Sequence, residues 1–322
     1  MDARQFDYDD ADDGELYMPP ASAELRQGLI RVSACTLAGD EAKANEDAFA
    51  ITVGAHSVCM AVFDGTTSLT PLRALEARGI SGARFASHGL RDAFKVADKT
   101  APLDDILVWL NDVLGVKTKN VQASRAAGDP SHPASTGMLV RLSTKGNTLE
   151  LAHVGDSFCI VYFKSGGSCL LTTNQNAQFD QHVFDLIRRI AEASQIVPRE
   201  ARQDPRVHSK LIAMNQWKCN HPTGAGCGLL NGDKHVKRYI EYRVLPLSDV
   251  AAVLIGSDGL IPQGWSIEHE RGQAEIYEVL KVGGFQRLIA MKRASEDADP
   301  DWWHIRYKHS DDATGVFAEL PQ

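Results

Sequence analysis

The chain has 322 residues, enough to bury a large core as one sizeable domain or two small ones. At 43% hydrophobic and 24% charged it is composed like an ordinary globular protein, and a formal charge of −8 argues against the basic stripe of a nucleic-acid binder. No apolar run approaches the roughly 20 residues that span a bilayer, and the N-terminus lacks the layout of a secretory signal, so a cytoplasmic protein without membrane or nucleic-acid partners is expected.

The opening is dense in aspartate, ends at Pro19-Pro20 and has almost no apolar periodicity. Residues 1–24 therefore read as a flexible acidic tail, followed by one domain over 25–322. Strands are expected at "GLIRVSACTLAG", at the alternating "DAFAITVG" and at the apolar "SVCMAVF". Helical spacing follows in "SGARFASHGLRDAF" and "PLDDILVWLNDVLG", with Pro102 and two aspartates at the start of the second and Gly115 as its stop.

"VQASRAAGDPSHPAS" reads as a loop. Two strand pairs come next: "GMLVRLST" with "TLELAHVG" around Lys145-Gly146-Asn147, and "SFCIVYF" with "SCLLTTN" around Gly166-Gly167. The texture changes at about 175–235, where an amphipathic helix, "FDQHVFDLIRRIAEAS", leads into a long irregular stretch. Such a length inside a domain is usually functional, as in a lid or flap. "DVAAVLIGSDG" is another strand, helical patterns fill 272–296, and "DATGVFAEL" closes the chain as a strand. Strands in groups, with helices inserted in runs, point to an α+β fold: a four-layer α-β-β-α sandwich of two packed antiparallel sheets flanked by helices.

Six scattered cysteines, several in strand-like runs, suit core positions in a reducing compartment. "CNHPTGAGC", Cys219 to Cys227, is the one stretch resembling a metal clip, and a single histidine between its cysteines makes it a poor zinc site.

Acids recur where strands begin or end: Glu46 and Asp47 in "NEDAF", Asp64 in "VFDGT", Asp156 in "VGDS", Asp258 in "GSDG", and Asp311 with Asp312 in "HSDDAT". Singly, each reads as turn or capping chemistry. Gathered at one end of a sandwich they would repel each other strongly, a repulsion that hard divalent cations with oxygen ligands relieve. Glycine after the aspartate, as at Gly65, lets a backbone carbonyl approach such an ion.

The ordered set "NEDAF", "AVFDG", "AST", "LAHVGDS", "LLTTN", "GSDGL", "DDAT" resembles the PPM-type metal-dependent protein serine/threonine phosphatases, the protein phosphatase 2C-like superfamily, in its bacterial form. The resemblance implies two Mg2+ or Mn2+ ions, in some members a third, and hydrolysis of phosphate monoesters by a water activated between the two cations. Phosphoserine or phosphothreonine in proteins would be the substrate. It implies Asp64 as the bridging ligand, Gly65 as a carbonyl donor, and Asp258 and Asp311 as further ligands of the first ion. Glu46 would serve the second ion, Asp47 would support it, and Asp156 would serve the third. The segment 175–235 falls where bacterial members carry a substrate-contacting flap.

Three positions depart from the family pattern. Thr66 stands where a histidine that protonates the leaving group is common, leaving water, His132 or His221 for that role. Ala42 stands at the position of a phosphate-gripping arginine, with Lys43 beside it as a point charge. Asp311-Asp312 replaces the usual Asp-Asn. These departures leave open a small phosphorylated metabolite as substrate, or a pseudophosphatase that binds without turnover. The aromatic and basic "PDWWHIRYKH" before the last acids reads as buried core or as a substrate-facing wall.

Overall fold

The computed structural model describes residues 21–25, 28–40, 43–66, 69, 72–121 and 132–321. Residues 1–20 of the expected tail, Ala42, and most of the loop expected after 120 lie outside the described residues. In chain order the elements begin with β1 (Ala21–Leu25), β2 (Gly28–Leu37), β3 (Ala48–Val53) and β4 (Ser57–Phe63). Helices α1 (Arg73–Glu76), α2 (Gly82–Val96) and α3 (Leu103–Asn120) follow, then β5 (Gly137–Ser143), β6 (Thr148–Val154), β7 (Phe158–Phe163) and β8 (Ser168–Leu170). The chain continues through α4 (Ala177–Ser194), α5 (Pro198–Ala201), α6 (Pro205–Lys218), β9 (Glu241–Pro246), β10 (Val250–Gly256), α7 (Glu270–Asp297) and β11 (Ala313–Glu319). The first strand takes in residues 21–24, which the sequence had suggested for the tail; it pairs antiparallel with β2.

Two antiparallel sheets form, in the orders β1-β2-β11-β10-β7-β8 and β3-β4-β5-β6-β9. Strand alternation explains how they pack. In β4, Val58, Met60 and Val62 enter the core between the sheets, while Cys59, Ala61 and Phe63 face the layer of α2 and α3. In β10, Val253 and Ile255 share the inter-sheet core, while Ala252 and Leu254 meet α7 through Ile276, Leu280 and Leu288. A one-residue slip of either strand would swap its two sets between cores. The result is the expected four-layer α-β-β-α sandwich.

Two helical expectations need correction, and a third gains a detail. Helix α3 does not stop at Gly115 but runs on to Asn120. Gly115 instead permits a close approach, since a Cβ there would lie 2.9 Å from Gly232 Cα. The stretch after α4 is not irregular throughout: α6 begins at Pro205, capped by the Asp204 carboxylate, which accepts from Arg206 N. Helices α4 to α6 build a small core of their own from Val183, Ile187, Ile190 and Val207, against which Ile305 and Tyr307 pack. Helix α7 is broken at Gly284, whose φ of +59° a side chain would resist. No helix among the described residues is long and apolar enough to cross a membrane.

Candidate active site

Antiparallel pairing carries the acids to one end of the sandwich. Ala48, next to Asp47, is registered with Phe63, next to Asp64. Gly256, two residues before Asp258, pairs with Gly315, shortly after Asp311 and Asp312. Val154, two residues before Asp156, pairs with Gly137 on β5, the strand next to β4.

The carboxylates sense one another. Burial pushes Asp64 well above the usual carboxylate range, and the charges of Asp47, Asp258, Asp156 and Asp311 push it further. Asp47 is likewise raised, first by burial and then by Asp312, against the hydroxyl of Ser257, which donates to Asp47 Oδ2 at 2.6 Å. Loss of solvation lifts Asp156 to about 6, with Asp180 adding to it and Lys218 opposing. Asp258 rises to about 7 from the protein packed around it and from Asp156 and Asp311, although part of its side chain opens onto solvent. Lys292 and Lys308 pull the other way.

The backbone beneath the acids is tightly held. Asp64 carbonyl oxygen accepts from Thr136 N and Ser135 Oγ, both at 2.8 Å. Gly65 N donates to Glu46 O at 3.2 Å, and a Cβ on Gly65 would lie 2.4 Å from that same oxygen, so only glycine fits between the two motifs. Thr66 N donates to Ala134 O at 3.0 Å. Glu46, half-buried, has its own N–H on Asp312 Oδ2 at 2.7 Å, while Asp312 Oδ1 accepts from Gly39 N at 2.7 Å. Asp312 is thus a clip joining two chain segments. Gly259 packs so closely on Asp312 that a Cβ would lie 1.9 Å from its carbonyl oxygen.

Lys43 stands apart from this group. It is exposed, and its ammonium lies 3.6 Å from Asp40 Oδ2. A cation that does stand beside the acids is Lys308, with Nζ 2.5 Å from Asp311 Oδ1 and within the fields of Asp312 and Glu46. Of the two candidate proton donors, His132 Nε2 is bonded to Asn231 O at 2.6 Å and His221 Nδ1 to Thr223 Oγ1 at 2.8 Å. The tryptophan pair divides between the two readings: Trp302 is buried and Trp303 is 71% exposed. Sequence reasoning also passed over Asp180, which α4 delivers to the cluster. Its carboxylate accepts from Tyr307 Oη at 2.8 Å and from Asn176 Nδ2 at 2.9 Å.

Two clefts open at the acids. One of about 210 Å³ is lined by Asp180, Asp258, Lys292, Tyr307, Lys308 and Asp311. The other, about 280 Å³, has Asp156 and Asp258 together with the apolar Phe158, Ile261, Trp265 and Ile267. Among the described residues no three His, Cys, Asp or Glu side chains stand as a finished metal cage. The donors gathered here are all oxygens, the set a hard cation such as magnesium prefers, and retained waters would complete its shell.

The sequence profile of the family described as protein phosphatase 2C matches residues 40–286, most of the chain. The chain belongs to the protein phosphatase 2C family. Among solved structures, this phosphatase is similar to the serine/threonine phosphatase of S. agalactiae, at 16% identity and a TM-score of 0.54, covering 91% of this chain and 100% of that one. Stp1 from Staphylococcus aureus is similar at 16% identity and a TM-score of 0.51, with 96% and 100% covered. RsbX, solved in complex with magnesium, gives 13% identity and 0.51, with 93% and 98% covered. These likenesses establish the shared fold. No curated protein sequence matches the chain.

Proposed function

We propose that this protein phosphatase 2C family member hydrolyses phosphate monoesters with magnesium or manganese as cofactor, acting on phosphoserine or phosphothreonine in proteins. One arrangement carries the reading: Asp64, Asp156 and Asp258, far apart in sequence, each have the ionised carboxylate disfavoured by burial and then by neighbouring acids, with Asp311 among the neighbours of all three. Asp64, the Gly65 carbonyl, Asp258 and Asp311 would hold a first ion, Asp64 and Glu46 a second, and Asp156 a third. The magnesium bound by the structurally similar RsbX supports that choice of metal. When bound, the ions would supply the activated water and neutralise the phosphoryl charge.

The chain's own residues do the positioning. Thr136 and Ser135 fix the Asp64 backbone, Asp312 fixes that of Glu46, and Ser257 holds Asp47. Lys308 replaces Lys43 in this reading as the cation next to the reacting phosphate. Thr66, a hydroxyl no better than water as an acid, gives no advantage as proton donor, and in this reading the leaving alkoxide takes its proton from solvent. The segment 175–235 acts as the substrate-contacting flap, since α4 supplies Asp180 to the cluster. The buried Cys35, Cys59 and Cys159 serve as small core side chains, the use expected of cysteine in a reducing, cytoplasmic setting.

The test is manganese-stimulated release of p-nitrophenol from its phosphate ester, abolished in Asp64→Asn and Asp258→Asn. Phosphopeptides compared with sugar and nucleotide phosphates would distinguish a protein substrate from a metabolite. Protein that binds two metals yet turns over none of them is a binding module, and the proposal fails.

A further inference from the structure

We propose that Cys219 and Cys227 form a site of reversible oxidation, closing a disulfide at the base of the flap loop when the protein meets a hydroperoxide. The two residues are partners in an isolated parallel bridge. Bridge partners lie about 5 Å apart, within the Cα separation a disulfide accepts. The pairing is held on both sides: Cys227 N donates to Lys218 O at 2.9 Å, and Asn220 N donates to Cys227 O at 2.9 Å. Gly226 makes this approach possible, because a Cβ there would lie 1.8 Å from Lys218 O.

The Cys219 thiol donates to Asn215 Oδ1 at 3.0 Å. The neighbouring Cys227 thiol, and after it Lys218, hold the Cys219 thiol below its usual range against the opposing effect of burial, while Cys219 and burial push Cys227 far above it. Cys219 is therefore the attacking sulfur and Cys227 the resolving one. A zinc site is not formed: among the described residues no third metal-binding side chain joins the pair, and His221 Nδ1 is engaged by Thr223. Both thiols are buried, but the loop between them is exposed from Pro222 to Ala225, giving a small oxidant a path by local opening.

The chemistry balances. The Cys219 thiolate attacks the peroxide oxygen, forming a sulfenic acid and releasing water or an alcohol after protonation. The Cys227 thiol then displaces the sulfenic hydroxyl as a second water, so two thiols lose two electrons and two protons to one peroxide. A dithiol reductant reverses the bond by exchange. The bond would reach the active site through the backbone, since Gly228 N and Gly155 N both donate to Gln175 Oε1, and Leu230 bridges Ser135, which bridges Gly65.

The test does not depend on phosphatase activity. The full-length protein is exposed to hydrogen peroxide, alkylated, cleaved with trypsin and weighed. Trypsin releases both cysteines in the single peptide 219–234. The expected product is that peptide lighter by two hydrogen atoms and carrying no alkyl group, with both thiols restored by dithiothreitol. In Cys227→Ser, dimedone should capture a sulfenic acid at Cys219. The exposed Cys169 reports that oxidant was present. If Cys169 is oxidised while 219–234 still takes two alkyl groups, or if Cys219 advances to sulfinic acid with Cys227 free, the proposal is overturned.

Discussion

Replacing Asp312 with asparagine restores the residue the family usually has there, yet it should destabilise this protein. Both carboxylate oxygens are in use, one on Gly39 N and one on Glu46 N, each at 2.7 Å, and the side chain is buried. An asparagine has one acceptor oxygen, and its NH2 would face the other backbone N–H. Losing one hydrogen bond to a charged group costs about 1.5–3 kcal/mol. The lost charge brings partial relief, because Asp312 is the second cause of the raised Asp47; burial, the first, is untouched. The net loss should be about 1–2 kcal/mol, and roughly twice that for Asp312→Ala, which abandons both bonds. Urea denaturation of the chelator-treated protein at neutral pH measures this, and calorimetric titration with manganese should show weaker binding as Glu46 loses its anchor. An asparagine variant as stable as the parent would refute the clip.

Three further outcomes follow from the same geometry. Asp156 and Asp258 are raised to about 6 and about 7, so between about pH 4 and pH 7 the folded, metal-free protein holds protons more tightly than the unfolded chain. Its stability should fall as pH climbs through that window and level off above it, with manganese recovering the loss; a flat series of thermal melts in chelator would contradict this. Gly259→Ala places a methyl 1.9 Å from Asp312 O, and should lower stability by about 1–3 kcal/mol in urea denaturation. Lys308→Met should raise KM for p-nitrophenyl phosphate several-fold while Lys43→Met leaves it unchanged, and the reverse order would return the phosphate-gripping role to Lys43.

Much of the sandwich was legible because its strands are simple. The runs that became β3, β4, β5, β6, β7 and β10 carry one apolar face for each core, and period-two burial leaves little freedom of register. Helix α6 was hidden because it buries only Val207 outright and so lacks a strong apolar stripe, although Asp204-Pro205 was a readable start signal. Gly115 misled because a glycine late in a helix ordinarily marks its end; contact with Gly232, over a hundred residues on, is invisible to local pattern. In the site, the strand-end acids could be found by recurrence. Asp180 could not, since it is ordinary in its own segment and joins the cluster only through the docking of α4; Lys308 lies in the basic stretch singled out before the last acids, but nothing local marked it above Arg306 or His309.

The acids that gather here work against the fold. Asp47, Asp64, Asp156 and Asp258 all have their ionised forms disfavoured, first by loss of solvation and then by each other. A chain with only stability to satisfy would replace them with amides or apolar residues. This one instead surrounds them with fixed donors and close glycine contacts: Ser257 on Asp47, backbone N–H groups on Asp312, Gly65 against Glu46, and Gly259 against Asp312. Lys308 and Lys292 beside Asp258, and Lys218 near Asp156, oppose this only in part, since both carboxyls remain raised. In the proposed function the remaining negative potential is what divalent cations would relieve, and the metal-free protein would be the strained partner in that equilibrium. Cation binding and folding should therefore be coupled, each manganese bound appearing as added resistance to urea that grows with metal concentration.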